Sequence, residues 1–171
     1  TGNLIWKFLT GGEINSSPVV VKDRIFIGSL DNCLYALTKN GELIWKFRTG
    51  GELSNTPAVC NNSVYFGSQD GKFYCVSADD GRLIWKFNTT ALPIGSKGSP
   101  LITNSNLETL FDFSTRSLEK SPKAESGFIY FGCWDNNIYA ISLDGNLRWK
   151  FLTGGTCALY GAMNNKKLYF P

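Results

Sequence analysis

Histidine is absent from this 171-residue chain. Its absence removes the commonest general base, the usual member of a nucleophilic triad and the commonest transition-metal ligand. The five cysteines (33, 60, 75, 133 and 157) include no adjacent pair and no CxxC, so zinc-ribbon and thioredoxin-type readings fail on spacing. Cys60 and Cys75 stand where sister segments are apolar, and the cysteines are read as reduced, buried small hydrophobes in preference to a disulfide framework. That usage favours a reducing, cytoplasm-like compartment, with the periplasm or cell surface the alternative for a chain whose signal peptide was removed. No apolar run approaches the roughly 18 residues that span a membrane, and no signal peptide is visible. The net charge is only +3, with lysines scattered at repeated positions, so the basic patch of a nucleic-acid binder is missing.

What the chain does have is repetition. Leu4-Ile5-Trp6-Lys7-Phe8, Leu43-Ile44-Trp45-Lys46-Phe47, Leu83-Ile84-Trp85-Lys86-Phe87 and Leu147-Arg148-Trp149-Lys150-Phe151 are one phrase, with tryptophans 39, 40 and 64 residues apart. A period near 40 indicates one supersecondary unit that buries its apolar face only against its neighbours. Each unit then runs through the same text. Thr10-Gly11-Gly12, Ser17-Pro18-Val19-Val20, Ile25-Phe26-Ile27-Gly28, Asp31-Asn32, Leu34-Tyr35-Ala36-Leu37 and Gly41 have counterparts in Thr49-Gly50-Gly51, Thr56-Pro57-Ala58-Val59, Val64-Tyr65-Phe66-Gly67, Asp70-Gly71, Phe73-Tyr74-Cys75-Val76 and Gly81. A third copy holds Ser99-Pro100, Ile129-Tyr130-Phe131-Gly132, Asp135-Asn136, Ile138-Tyr139-Ala140-Ile141 and Gly145; a fourth opens at Thr153-Gly154-Gly155.

Four short β-branched or aromatic runs per unit, separated by turn residues, predict a four-stranded meander. Asp-Asn and Asp-Gly suit a tight turn with φ > 0 between the second and third strands, and Gly41, Gly81 and Gly145 mark the hairpin into the fourth. The fold class expected is all-β: a β-propeller of four-stranded antiparallel blades. The blade units run about 10–48, 49–88, 89–152 and a partial 153–171. Residues 1–9 are expected to be a lone last strand, so the ring is incomplete at about three and a half blades, and the chain reads as a fragment of a larger ring or as half of a two-copy assembly.

These residues carry a resemblance. Trp-Lys-Phe-x-Thr-Gly-Gly, Ser-Pro, Tyr-Phe-Gly-Ser-x-Asp-Gly-x-x-Tyr and Asp-Gly-x-x-x-Trp resemble the pyrroloquinoline-quinone (PQQ)-type propeller repeat over nearly the whole chain except roughly 103–127. The resemblance implies that tryptophans interlock the blades through an Ala-x-Asp-x-x-x-Gly-x-x-x-Trp motif. Cys75, Ser77, Gly81 and Trp85 keep that spacing, while Ala36, Gly41 and Trp45, and Ala140, Gly145 and Trp149, are one residue shorter. The repeat builds quinoprotein dehydrogenases, in which PQQ and calcium are held by Glu, Asn and Asp beneath a disulfide between adjacent cysteines. It also builds non-catalytic scaffolds, such as the propeller lipoprotein of outer-membrane barrel assembly. No adjacent cysteines exist here and no acid–amide set matches the calcium ligands, so no catalytic, cofactor or metal residue is assigned.

The conspicuous residues each have a structural reading. Asp31, Asp70 and Asp135 could be ligands on one face, but recurrence in every unit points to capping of their own turns. The four tryptophans could stack sugars or bases, yet the same recurrence favours packing between blades. The Thr-Gly-Gly loops lack the helix and the Lys-Ser/Thr of a phosphate loop, and Trp134-Asp135 echoes a WD dipeptide by coincidence. What does not repeat is an insertion between first and second strands at about 103–127, where Pro100 to Gly132 spans 32 residues against 10 between Pro18 and Gly28. Loops beyond about 12–15 residues are functional or disordered, and Leu107, Leu110, Phe111, Phe113 and Leu118 favour a packed, partner-binding loop on the face away from the Asp turns. The function expected is a non-catalytic scaffold for protein or ligand binding. The alternatives are a piece of a PQQ- and calcium-dependent dehydrogenase, or a sensing domain appended to an enzyme.

Overall fold

The computed structural model describes residues 2–89, 101–103, 127–154, 162–164 and 167–169, with 101–103, 162–164 and 167–169 described by backbone alone. Three antiparallel four-stranded sheets follow one another. The first holds β1 (Val19–Val21), β2 (Arg24–Gly28), β3 (Cys33–Thr38) and β4 (Leu43–Arg48) in simple meander order. The second holds β5 (Ala58–Cys60), β6 (Ser63–Ser68), β7 (Lys72–Ser77) and β8 (Leu83–Asn88), and the third β9 (Leu101–Thr103), β10 (Phe128–Gly132), β11 (Asn137–Ser142) and β12 (Leu147–Leu152). A two-stranded hairpin, β13 (Ala162–Asn164) and β14 (Lys167–Tyr169), matches the opening of a fourth unit. The architecture is the expected propeller with an open ring. The insertion expected at 103–127 lies, apart from its two end residues, outside the described residues, as does Cys157.

The turns explain the meander. Asn32, Gly71 and Asn136 take φ of 71°, 80° and 62° after their aspartates, and Gly41, Gly81 and Gly145 take 85°, 72° and 88° before the fourth strands. Left-handed backbone at these points is tolerated by Gly and Asn. First strands touch their successors, β1 with β5 and β5 with β9, which sets them along the axis. Fourth strands lie at the rim and alternate between exposed and covered side chains. The third strands, each paired along both edges within its own sheet, are buried almost throughout.

Two aromatic cores form between the blades. Phe26, Leu34, Ala36 and Trp45 of the first meet Leu53, Val64, Phe66, Tyr74 and Val76 of the second. Tyr65, Phe73 and Cys75 of the second meet Ile129, Phe131, Tyr139 and Ile141 of the third, where Phe73 and Phe131 stack with ring centroids 4.2 Å apart. Cys33, Cys75 and Cys133 are buried and Cys60 half-buried, and none of the four is in a disulfide.

The tryptophans cross from blade to blade. Trp45 Nε1 donates to the Ala78 carbonyl at 3.1 Å and Trp85 Nε1 to that of Leu143 at 2.9 Å. Each indole lies so close to the next blade's glycine that a Cβ on Gly81 or Gly145 would sit 2.7 Å from the ring.

Residues 2–9 correct one expectation: they form no strand. A strand needs a laddered neighbour, and none of the described sheets includes this segment. It nevertheless holds a rim strand's place, because Trp6 Nε1 donates to the Lys39 carbonyl at 2.9 Å, its indole covers Gly41, and Phe8 packs edge-on against Tyr35. The blade face beneath it is only partly covered. Ile25 and Ile27 are half-buried, whereas their counterparts Val64, Phe66, Ile129 and Phe131 are at most 1% exposed.

Gly81→Ala is expected to lose about 1–3 kcal/mol, through overlap with the Trp45 ring and a left-handed φ. Gly154→Ala, whose Cβ would meet nothing within 4 Å, should change stability by no more than about 0.5 kcal/mol. Urea unfolding followed by tryptophan fluorescence checks the pair; equal losses would sink the packing account.

Candidate functional site

At one end of the sheets the repeated acids meet the repeated glycines. Asp31 Oδ2 accepts from Gly11 N at 2.8 Å and from the Tyr35 hydroxyl at 2.5 Å, and its Oδ1 accepts from Cys33 N at 3.0 Å. Asp70 repeats the set with Gly50 N at 3.1 Å, the Tyr74 hydroxyl at 2.6 Å and Lys72 N at 3.1 Å. Asp135 accepts from Asn137 N at 3.1 Å and from the Tyr139 hydroxyl. Each aspartate caps its turn as expected, and Asp31 and Asp70 also tie that turn to the loop entering the blade.

The Thr-Gly-Gly loop is the other half of this lock. Thr49 donates through its N–H and its hydroxyl to the Asn32 carbonyl of the first blade, at 2.9 and 3.0 Å. The following residues belong to the second blade's turn: a Cβ on Gly51 would lie 2.5 Å from Asp70 N, so only glycine allows the approach. The loop thus joins neighbouring Asp turns, with the Thr49 N–H on the Asn32 carbonyl and the Gly50 N–H on the Asp70 carboxylate.

Burial alone would raise the carboxyls of Asp31 and Asp70. Hydrogen bonds from Tyr35 or Tyr74 and from the loop glycine outweigh it and hold both below the ordinary value. The tyrosines move the other way: burial, then the hydrogen bond to Asp31, pushes Tyr35 up to about 12. These acids are half-buried hydrogen-bond hubs. Among the described residues no three His, Cys, Asp or Glu side chains group to hold a metal ion. The repeated aspartates are committed to protein donors and so supply no calcium and PQQ ligand set, and no chemistry is routed through one.

The opposite end holds a feature the sequence reading missed. A cavity of about 530 Å³ opens between the first two blades, bounded by the β1–β2 turn (Lys22, Asp23), by Arg24, by the β5–β6 turn (Asn61, Asn62) and by Ala78-Asp79. Val21, Phe26, Val59 and Cys60 supply its apolar side. Arg24 Nη1 donates to the Ala78 carbonyl at 2.7 Å and to Asp79 Oδ1 at 2.6 Å, and Asn62 Nδ2 donates to Asp79 Oδ2 at 2.6 Å. The Asn62 and Arg24 bonds hold Asp79 below its ordinary pKa. The available signal lay in the differences between repeats: Arg24 stands where the other units have Ser63 and Phe128.

Comparison with known proteins agrees with this architecture. A family model described as outer membrane protein assembly factor BamB matches residues 1–151. Similar solved structures include BamB from Moraxella catarrhalis, at 14% identity and TM-score 0.62 over 86% of this chain and 39% of that one. A quinohemoprotein alcohol dehydrogenase from Pseudomonas putida HK5 aligns at 20% identity and TM-score 0.62, over 85% of this chain and 21% of that one. The computationally designed Ika4 protein aligns at 11% identity and TM-score 0.69, over 96% and 89% of the two chains. The chain thus spans well under half the length of the two natural proteins, and likeness at these identities concerns the fold alone. No curated protein sequence matches it.

The Asp–Tyr pairs predict stability losses at both pH extremes. Because Asp31 and Asp70 have folded values below their unfolded 3.8, their contribution is present above that pH and lost as pH falls through the folded values. Tyr35, raised from 10.0 to about 12, contributes fully below pH 10 and loses that contribution between pH 10 and about 12. Asp70→Asn should lower stability at pH 7 and flatten the acid limb of a denaturation series. An unchanged acid limb would remove Asp70 from the account.

Proposed function

This chain belongs to the PQQ-repeat β-propeller family described as outer membrane protein assembly factor BamB, and from that premise we propose a non-catalytic propeller module that binds protein or ligand on a rigid scaffold. One observation carries the reading: the polar groups that recur in every blade are bonded inward. Asp31 and Asp70 hold loop N–H groups and tyrosines, and Trp6, Trp45 and Trp85 hold carbonyls of the next turn. Recognition is left to surfaces that the repeat does not use for its own assembly.

The half-covered face of the first blade is one such surface, where Ile25 and Ile27 lie under the N-terminal segment and Leu4 and Ile5 are 77% and 91% exposed. Its counterparts in the other blades are closed by a neighbouring blade, so a further blade of the same repeat is the partner it fits. That blade would come from a second copy or from the remainder of a larger ring. The quinoprotein dehydrogenase reading draws on the fold likeness to such enzymes, but the repeated aspartates Asp31, Asp70 and Asp135 are occupied by protein donors.

Light scattering behind size exclusion is expected to give a mass above the 18.9 kDa of one chain, with Ile27→Glu shifting it back toward one chain. A folded, non-associating monomer at all concentrations would refute the blade-docking role. Stoichiometric binding of PQQ in the presence of Ca²⁺, read from quinone absorbance, would overturn the non-catalytic reading.

A further inference from the structure

We propose that the cavity between the first two blades binds a carboxylate carried on an aliphatic body, held by Lys22, Arg24 and Asn61 above a floor of Val21, Phe26 and Val59. The inference rests on the scaffold reading and names the ligand chemistry of one of its surfaces.

Size permits it: about 530 Å³ lies within the range of small-molecule sites, roughly 300–1,000 Å³. The floor is apolar, with Phe26 1% and Ala78 4% exposed and Val21 and Val59 half-buried. A ligand body seated there removes apolar area from water on both sides.

Charge decides the sign of the head group. Lys22, Arg24 and the adjoining Lys39 face two carboxylates, Asp23 and Asp79. Asp23 is paired with Lys39 at 3.0 Å, and both oxygens of Asp79 are taken by Arg24 and Asn62. Lys22 has no carboxylate partner among the described residues. Arg24 makes its bonds through Nη1, and a guanidinium carries five donors, so its fork retains capacity. Both carboxylates are thus paired with cations, while Lys22 and the rest of the Arg24 fork keep donors, and that balance favours an anion. A single net positive charge matches one carboxylate, whereas a dianionic phosphate would also face Asp23 and Asp79.

The group is particular to this blade pair. Arg24 is replaced by Ser63 and Phe128 in the sister units, and Lys22-Asp23 by Asn61-Asn62 in the second. Blade assembly therefore does not require these charges, and the unit that has them also has the cavity.

Equilibrium dialysis of the full chain against radiolabelled octanoate tests the inference, with 1-octanol as the uncharged control. A second arm uses acetyl-Gly-Gly-Leu with a free C-terminus against its amide, separating a small carboxylate from a protein C-terminus as the source. Saturable binding is expected for the acids and at least about tenfold weaker binding for octanol and the amide, as fits loss of one charge-assisted hydrogen bond. Lys22→Asn, which suits the φ of 56° at that position, should weaken octanoate about tenfold. Val59→Trp, which fills the floor, should abolish binding. Octanoate should also slow alkylation of the half-buried Cys60 by iodoacetamide, read on its peptide by mass spectrometry. Equal affinity for octanol and octanoate, or binding indifferent to Lys22→Asn, overturns the proposal. No octanoate binding by a chain that still self-associates overturns it too and leaves the scaffold reading intact, whereas PQQ and calcium binding strikes the scaffold reading.

Discussion

The structure depends on a single contact repeated around the ring: an indole from one blade's rim laid over a left-handed glycine of the next, its N–H on a neighbouring carbonyl. The contact is made of parts that need each other. The glycine must carry no Cβ, since one would overlap the ring, and its positive φ turns the hairpin so that the carbonyl faces the indole. Buried tryptophan needs a partner for its N–H, and the turn carbonyl supplies one without drawing on a side chain. The Trp6 contact forms even where no sheet stands behind it. Docking therefore needs no strand pairing by the segment that carries the indole.

A second lock works at the other end of each blade. Thr49 is fastened to the first blade's Asp turn, and Gly50 and Gly51 to the second's. Neighbouring blades are thus pinned at both ends of a wedge whose middle is filled by Phe47, Phe66, Tyr74 and their equivalents. Rigidity and loss of chemistry have one cause here. A carboxylate that accepts from two backbone N–H groups and a phenol has little capacity left for a metal or a substrate.

Much of this was legible because it recurs. A 40-residue period, turn pairs such as Asp31-Asn32 and Asp70-Gly71, and Trp after Gly were enough to read four strands per blade. The capping role of the aspartates was readable for the same reason. Their partners were harder, since Gly11 lies 20 residues before Asp31 and only the closed blade brings the two together. Residues 2–9 misled because their text is that of a strand, while strand pairing depends on a neighbour the phrase does not contain. The cavity was invisible for the opposite reason. Lys22, Arg24, Asn61 and Asp79 come from two blades, follow no repeat, and look like ordinary surface charges until the blades are packed.

The cavity and the docking contact are nevertheless linked, because they share an atom group. The Ala78 carbonyl accepts from Trp45 Nε1 at 3.1 Å and from Arg24 Nη1 at 2.7 Å. The first bond joins the blades through the rim, the second through the cavity wall. A carbonyl has two lone pairs, so both bonds form together and neither displaces the other. Whatever engages the guanidinium of Arg24 acts one hydrogen bond away from the junction of the first two blades. A ligand held only when those blades are joined stabilises the joined state by mass action. The equivalent of Arg24 in the second blade is Ser63, which has no guanidinium to reach the next turn, so coupling between ligand and blade packing is built into this position of the repeat.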